Sequence, residues 1–259
     1  MARKIAIAIH KGGTGKTTTA KNLAAAFALQ GKRTLLIDLD EQANATKGLG
    51  LNPLTLAVTI NDLFAHPDRD PQSAIHTTGI AGLHLMPAHP DLSKTETGMA
   101  FLRSDPNNPD PISTLKQLIE PLDSSYDIIL FDTPPSLNYM TINALAAADE
   151  LLIPAAASAY SEAGLTRTWE AYERAKKTYN PSLRRAYILV TRMKRTNASS
   201  VVLEGINKAY LDNVIPQLIV ESTAVDEAEQ LNQPVVVYDV DNPAAQGYLR
   251  VAEILSNGQ

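Results

Sequence analysis

The stretch "AIAIHKGGTGKTTTAKNLA", residues 6–24, decides the fold. It passes from an apolar, strand-like run through a glycine-rich turn into an alanine-rich, helix-like run, which is the setting a phosphate-binding loop requires. The Walker A pattern G-x-x-x-x-G-K-[ST] closes here as Gly15-Lys16-Thr17, but its first glycine is replaced by His10, and Lys11 follows. The loop is therefore a deviant one, with a second lysine five residues ahead of the usual one.

The residue types fit phosphate chemistry. Gly12, Gly13 and Gly15 allow the backbone to turn its N–H groups inward, and the following helix N-terminus adds a favourable dipole. In this pattern Lys16 reaches the β- and γ-phosphates of ATP and the Thr17 hydroxyl ligates Mg²⁺; Thr14 and Thr18, beside them in the loop, are further nucleotide-binding candidates.

Working outward, further apolar runs recur at 4–10, 33–40, 83–88, 126–132, 150–155 and 186–192, separated by helix-like segments. Short, near-continuous runs of Ile, Leu and Val are expected of parallel strands covered on both faces. The spacing predicts an α/β fold with a doubly wound, mostly parallel sheet, in one domain over residues 1–259. Helices are expected at 16–30, stopping at Gly31, at 161–179, and at 243–256, beginning with a proline. The proline- and asparagine-rich "RSDPNNPDP" at 103–111 reads as a surface loop.

Two strand ends carry acids. "YDIILFDTPPS" places Asp132 where a Walker B carboxylate holds the metal's water shell. "LLIDLDEQANAT" places Asp38 and Asp40 on alternate positions, hence on one side, of an extended chain; one of them is suited to orienting an attacking water. Asp40 reads equally well as a cap for the next helix.

Composition narrows the classes. The chain has no cysteine, which excludes disulfides, thiolate metal sites and cysteine nucleophiles. A net charge of -5 argues against a wholly basic nucleic-acid binder. Charge is unevenly placed, however. Residues 167–195 hold nine basic side chains (Arg167, Arg174, Lys176, Lys177, Arg184, Arg185, Arg192, Lys194, Arg195) against Glu170 and Glu173, a net of +7. Residues 221–241 carry six acids and no basic partner. The five histidines lack metal-ligand spacing, no G-x-S-x-G elbow is present, and Trp169, Tyr172 and Tyr179 read as packing on the sheet.

Four blocks, "KGGTGKTT", "LLIDLDEQANAT", "YDIILFDTPPSLNYMTINALAAADELLIPA" and "PVVVYDVDNPAAQGYLRVAEIL", resemble those of the ParA/MinD family of deviant Walker A ATPases, on the ParA side. The resemblance implies a cytoplasmic, nucleoid-associated ATPase, slow until a partner stimulates it, that forms a homodimer around ATP and Mg²⁺. It implies that Lys11 reaches the nucleotide of the partner subunit, that Asp38 positions water and stands near the metal, and that Thr191, Arg192 and Pro216 contact adenine. It further implies non-specific double-stranded DNA binding, for which Arg192, Lys194, Arg195, Lys177 and Arg174 are the candidates, and a ParB-like or small adaptor. The cargo would be a plasmid, a chromosome or a protein body such as a carboxysome.

The polar end "GYLRVAEILSNGQ" speaks against a MinD-like membrane helix, and the loop's start at residue 10 leaves no room ahead of it for an operator-reading domain. Departing from many relatives, the chain reads "QLIVESTAVDEAEQ" after "VIP", where they carry arginines for DNA. Rival readings are a small-molecule ATP-dependent ligase of the dethiobiotin-synthetase type and a MinD-like membrane switch.

Overall fold

The computed structural model describes residues 1–104, 110–158 and 161–257, with backbone alone at 161 and 162. Its strands are β1 Arg3–Ile7, β2 Thr34–Asp38, β3 His76–Thr77, β4 Leu83–Met86, β5 Ile128–Asp132, β6 Glu150–Ala156 and β7 Arg185–Thr191. They form one sheet in the order β3-β4-β2-β5-β1-β6-β7. Every pair is parallel except β3 with β4, a two-residue antiparallel edge that no apolar run announces.

The helices are α1 Lys16–Leu29, α2 Asn44–Lys47, α3 Ile60–Ala65, α4 Leu92–Ser104, α5 Thr114–Ile119, α6 Tyr139–Ala147, α7 Ser161–Thr178, α8 Asn197–Tyr210, α9 Thr223–Gln230, α10 Val235–Tyr238 and α11 Pro243–Ser256. The three expected helices are α1, α7 and α11. Gly31 ends α1 at φ 80°, a left-handed conformation that costs glycine little. Pro243 opens α11 behind an Asn242 cap that accepts the Ala244 N–H. The loop expected at 103–111 lies mostly outside the described residues, since 105–109 are among those not described; α4 continues through Arg103 and Ser104, and a 3₁₀ turn starts at Pro111.

The strands' apolar runs resolve into two alternating sets. Ile5, Ile7, Leu36, Leu130 and Leu152 pack with α1, α10 and α11 on one face. Ala6, Ala8, Leu35, Ile37, Ile129, Phe131, Leu151 and Ile153 pack on the other with residues of α3 to α8. Both faces are covered, so the period of two that the pleat imposes is hidden in the sequence. Small side chains, Ala24, Ala25 and Ala26 of α1 with Ala244, Ala245 and Ala252 of α11, let these two helices approach closely. Burying Phe27 completely among them is worth about 2–3 kcal/mol.

Trp169, Tyr172 and Tyr179 do pack rather than stand exposed, but Trp169 does so between helices: its ring lies 5.0 Å from that of Tyr210 on α8 and 5.5 Å from Tyr172. Among the described residues, no helix is long and apolar enough to cross a membrane.

Candidate nucleotide site

Strand β1 has β5 on one side and β6 on the other, so the chain's winding reverses direction beside it. A crevice opens at such a point outside the carboxyl ends of the strands, and there the loop from residue 8 to residue 15 lies. Gly13 at φ 72° and Gly15 at φ 83° take left-handed conformations, as a chain turning its amides inward requires. Lys16 opens α1, is 7% exposed, and donates from Nζ to the Lys11 carbonyl at 3.1 Å. Burial lowers the Lys16 pKa, against the pull of the Asp132 and Asp40 carboxylates.

Helix α7 fixes the start of the loop. The His10 N–H donates to Thr168 Oγ1 at 2.9 Å, and that hydroxyl donates to the Gly164 carbonyl at 2.7 Å. A Cβ on Gly164 would lie 3.2 Å from Lys11 Cβ and 3.3 Å from the His10 carbonyl oxygen, so the helix sits against the backbone that carries the second lysine.

The two acid-bearing strand ends meet. Asp38 and Asp132 are register partners of β2 and β5, and both are fully buried. Asp38 accepts from the Thr46 N–H at 2.9 Å, the Thr46 hydroxyl at 2.8 Å and the Asp40 N–H at 3.1 Å. Its lone pairs are thus directed to Thr46, a residue the sequence reading did not single out although it closes the quoted "DEQANAT" block. Burial raises the Asp38 pKa to about 6 against the pull of those hydrogen bonds.

Asp132 is in the opposite condition: neither carboxylate oxygen has a hydrogen-bond partner of ordinary geometry. Burial first, then the neighbouring Asp38 charge, push its pKa well above the carboxylate range, while the Thr17 hydroxyl and Lys16 pull it down. Asp40 adjoins both, its charge helping to raise their pKa values, while its own Oδ1 accepts the Gln42 N–H at 3.0 Å and ties the turn that leads into α2.

A pocket on the far side of the loop is lined by Gly13, Gly15, Thr18, Thr191, Arg192, Glu221, Ser222, Val225, Asp226 and Tyr248, with Ile219 and Val220. Thr191 Oγ1 donates to the Thr14 carbonyl at 2.9 Å, and Arg192, at φ 50°, donates to the Gly13 carbonyl at 3.2 Å. Two of the three residues expected at adenine therefore line this pocket. Pro216 does not: it is exposed, and it lies below the pocket because residues 214–220 run alongside β7, with Ile215 bonded at the level of Ile188 and Ile219 at that of Val190. Tyr248 is buried, which pushes its phenol up to about 12 and keeps it protonated within 3.4 Å of the Thr19 hydroxyl.

The +7 segment does not form one patch. Arg184 and Arg185 stand at the start of β7 and Arg192, Lys194 and Arg195 beyond its end, so the seven-residue strand, about 23 Å at 3.3 Å per residue, separates them. Lys176 and Lys177 lie in the last turn of α7, and Lys176 Nζ reaches the Arg184 carbonyl at 3.4 Å, joining the lower group. Arg174 lines a groove with His10, Arg103 and Arg167. The acidic stretch also has basic partners after all: Glu221 pairs with Arg192 at 3.2 Å and Lys194 at 2.9 Å, and Glu229 pairs with Lys21 at 2.7 Å. Folding brings these partners from elsewhere in the chain, which a local count misses.

A strand–loop–helix phosphate cradle, a switch-point crevice and a strand-end carboxylate define a P-loop ATPase. The model of the AAA domain family AAA_31 matches residues 2–185. The chain belongs to that family, among the ParA/Soj partitioning ATPases. It is 34% identical to the chromosome partitioning protein ParA of Myxococcus xanthus over 98% of this chain and 88% of that one. It is 35% identical to the sporulation initiation inhibitor protein Soj of Bacillus subtilis over 100% of both. In structure it is similar to cobyrinic acid a,c-diamide synthase of Mycobacterium smegmatis with bound ADP and magnesium, at TM-score 0.85 and 27% identity, covering 99% of this chain and 95% of that one.

Proposed function

We propose that this chain is an ATP-driven positioning switch: it binds Mg-ATP, dimerises around it, holds non-specific DNA in that state, and lets go when an adaptor protein stimulates hydrolysis. The observation that carries the nucleotide half is Asp132, whose buried, unpartnered oxygens lie beside the phosphate loop. Buried carboxylate oxygens without donors fit a site completed by a cation or its water shell. Thr17 and Asp132 would hold Mg²⁺, with Asp38 next to them. The ion would neutralise phosphate charge as it develops.

In this reading the amides of Gly12, Gly13, Thr14 and Gly15 receive the phosphates, and Lys16 leaves the Lys11 carbonyl for the β- and γ-oxygens. Thr18, Thr191 and Arg192 border the rest of the nucleotide. Lys11 serves the partner subunit's triphosphate, where a second positive charge offsets the repulsion of two apposed nucleotides. Asp38 orients water only once it turns from Thr46, so the protein at rest holds its own catalytic group back.

For DNA the group at the end of β7 is the one coupled to nucleotide, because Arg192 bonds the Gly13 carbonyl and shares Glu221 with Lys194. Arg195 and Lys194 would take phosphates there, with Lys177 and Arg174 on α7 reached only by a longer duplex. Binding of this kind ignores sequence and weakens with salt. The cargo is a DNA or protein body that an adaptor marks, and the chromosome partitioning relative favours DNA.

The likeness to a synthase supports one rival, an ATP-dependent ligase acting on a small carboxylate. Sedimentation with random-sequence DNA, with Mg-ATP, Mg-ADP and no nucleotide, separates the two. The switch binds DNA with Mg-ATP alone, whereas a ligase ignores DNA in all three.

A further inference from the structure

The fold uses two acids of the 221–241 stretch to hold one wall of the nucleotide pocket. Ser222 caps α9, and Val225 and Asp226 follow on the pocket side. Positions 222, 225, 226 and 229 share one face of a helix, so Glu229 continues the pocket-lining face by one turn. Its carboxylate meets two residues of α1: Oε1 accepts from the Thr18 hydroxyl at 3.1 Å, and Oε2 accepts from Lys21 Nζ at 2.7 Å. Thr18 itself lines the pocket.

Lys21 is unusual in its burial, with a side chain 0% exposed against 39% for Glu229. The ammonium lies against the bare backbone of Gly48, where an added Cβ would stand 2.2 Å from Nζ. Such a charge is tolerated in the interior only when paired, so the pair has one geometry open to it. At the other end of the wall, exposed Glu221 pairs with Arg192 and Lys194. Helix α9 is thus fastened at both ends, and the buried fastening is on the helix that follows the phosphate loop.

We infer that Glu229, held by buried Lys21, is a positioning residue that sets the α9 wall of the pocket against Thr18 and so determines how firmly the non-phosphate part of the nucleotide is held. This rests on the nucleotide reading above. Glu229 bonds Thr18, which lines the pocket, and Lys21, one turn further along α1 from the phosphate loop, so its effect should fall mainly on the nucleoside end.

The test is calorimetric titration of the full chain with Mg-ATP and, as a probe without a nucleoside, magnesium tripolyphosphate. In Glu229→Gln, Mg-ATP affinity should fall about tenfold, the order set by losing one charge-assisted hydrogen bond, with tripolyphosphate affinity unchanged. The double variant Lys21→Met/Glu229→Gln removes the buried charge and guards against misfolding of the single one; it should show the same selective loss. A parallel fall for both ligands, no fall for either, or full recovery of Mg-ATP affinity in the double variant would overturn the inference. Wild-type protein that binds neither ligand would instead overturn the nucleotide reading itself.

Discussion

Asp38 and Asp132 stand directly opposite one another in adjacent parallel strands, both sealed from solvent, yet one has three donors and the other none. The pair is therefore one whose charged form burial disfavours. Asp38 titrates near 6, and Asp132 is raised well above its usual range.

This sets a pH dependence. A carboxyl whose folded pKa is raised favours the folded state most when protonated, so its contribution is complete below the unfolded value of about 3.9 and is lost as pH rises through the folded value. The nucleotide-free protein should lose stability between about pH 4 and 6 from Asp38, and further above that from Asp132. Asp91, Asp127 and Glu221 are lowered, so their contributions grow as pH rises and oppose this loss, while Glu96 is raised and adds to it. Urea midpoints at pH 5 and 7.5 check it: the wild type should fall, and Asp132→Asn should fall less. A wild-type midpoint that rises would contradict the pair's assignment.

The two lysines of the loop should separate by assay. Lys16→Ala should weaken Mg-ATP binding at least about 100-fold, since a desolvated charge facing the phosphates is lost. Lys11→Ala keeps the carbonyl that Lys16 uses and should bind nucleotide within about threefold of wild type. It should remain a monomer with Mg-ATP by light scattering, and normal dimerisation would remove Lys11 from its role in trans.

Thr46→Val is close in shape and deletes one hydroxyl donor to Asp38 while leaving the backbone N–H. It should cost about 2–3 kcal/mol of stability, because the bond to the buried carboxylate is lost and the Ala88 N–H, which the Thr46 hydroxyl accepts at 3.1 Å, is left without a partner. Stimulated turnover should change several-fold with KM for ATP unchanged. A shift in KM alone would place Thr46 in binding rather than in control of Asp38.

Charge reversal at the two ends of β7 tests the DNA face. Arg195→Glu should weaken binding of random-sequence DNA and reduce the slope of log affinity against log salt by about 1. Arg184→Glu, at the far end of the strand, should matter much less. Equal effects would indicate a surface that spans both ends.

The sheet was legible because the parallel strands are short apolar runs, two of them ending in an aspartate, and the loop was legible because glycine spacing and a lysine are local signals. The β3 edge was not, since His76 and Thr77 carry no pattern longer than their own pairing with β4. That Pro216 does not line the pocket beside Thr191 was not legible either, because the register of 214–220 against β7 is a tertiary property. Thr46, Glu221 and Glu229 escaped for a related reason: each acts on a side chain brought near by folding, Asp38, Arg192 and Lys21 respectively.

The central claim is that ATP is the adhesive of a dimer that holds DNA. Light scattering of Asp38→Ala protein with Mg-ATP, then with random-sequence DNA at two salt concentrations, tests it most directly. The account predicts twice the chain mass with Mg-ATP and uptake of DNA at low salt only. A monomer indifferent to DNA would contradict it and favour the ligase.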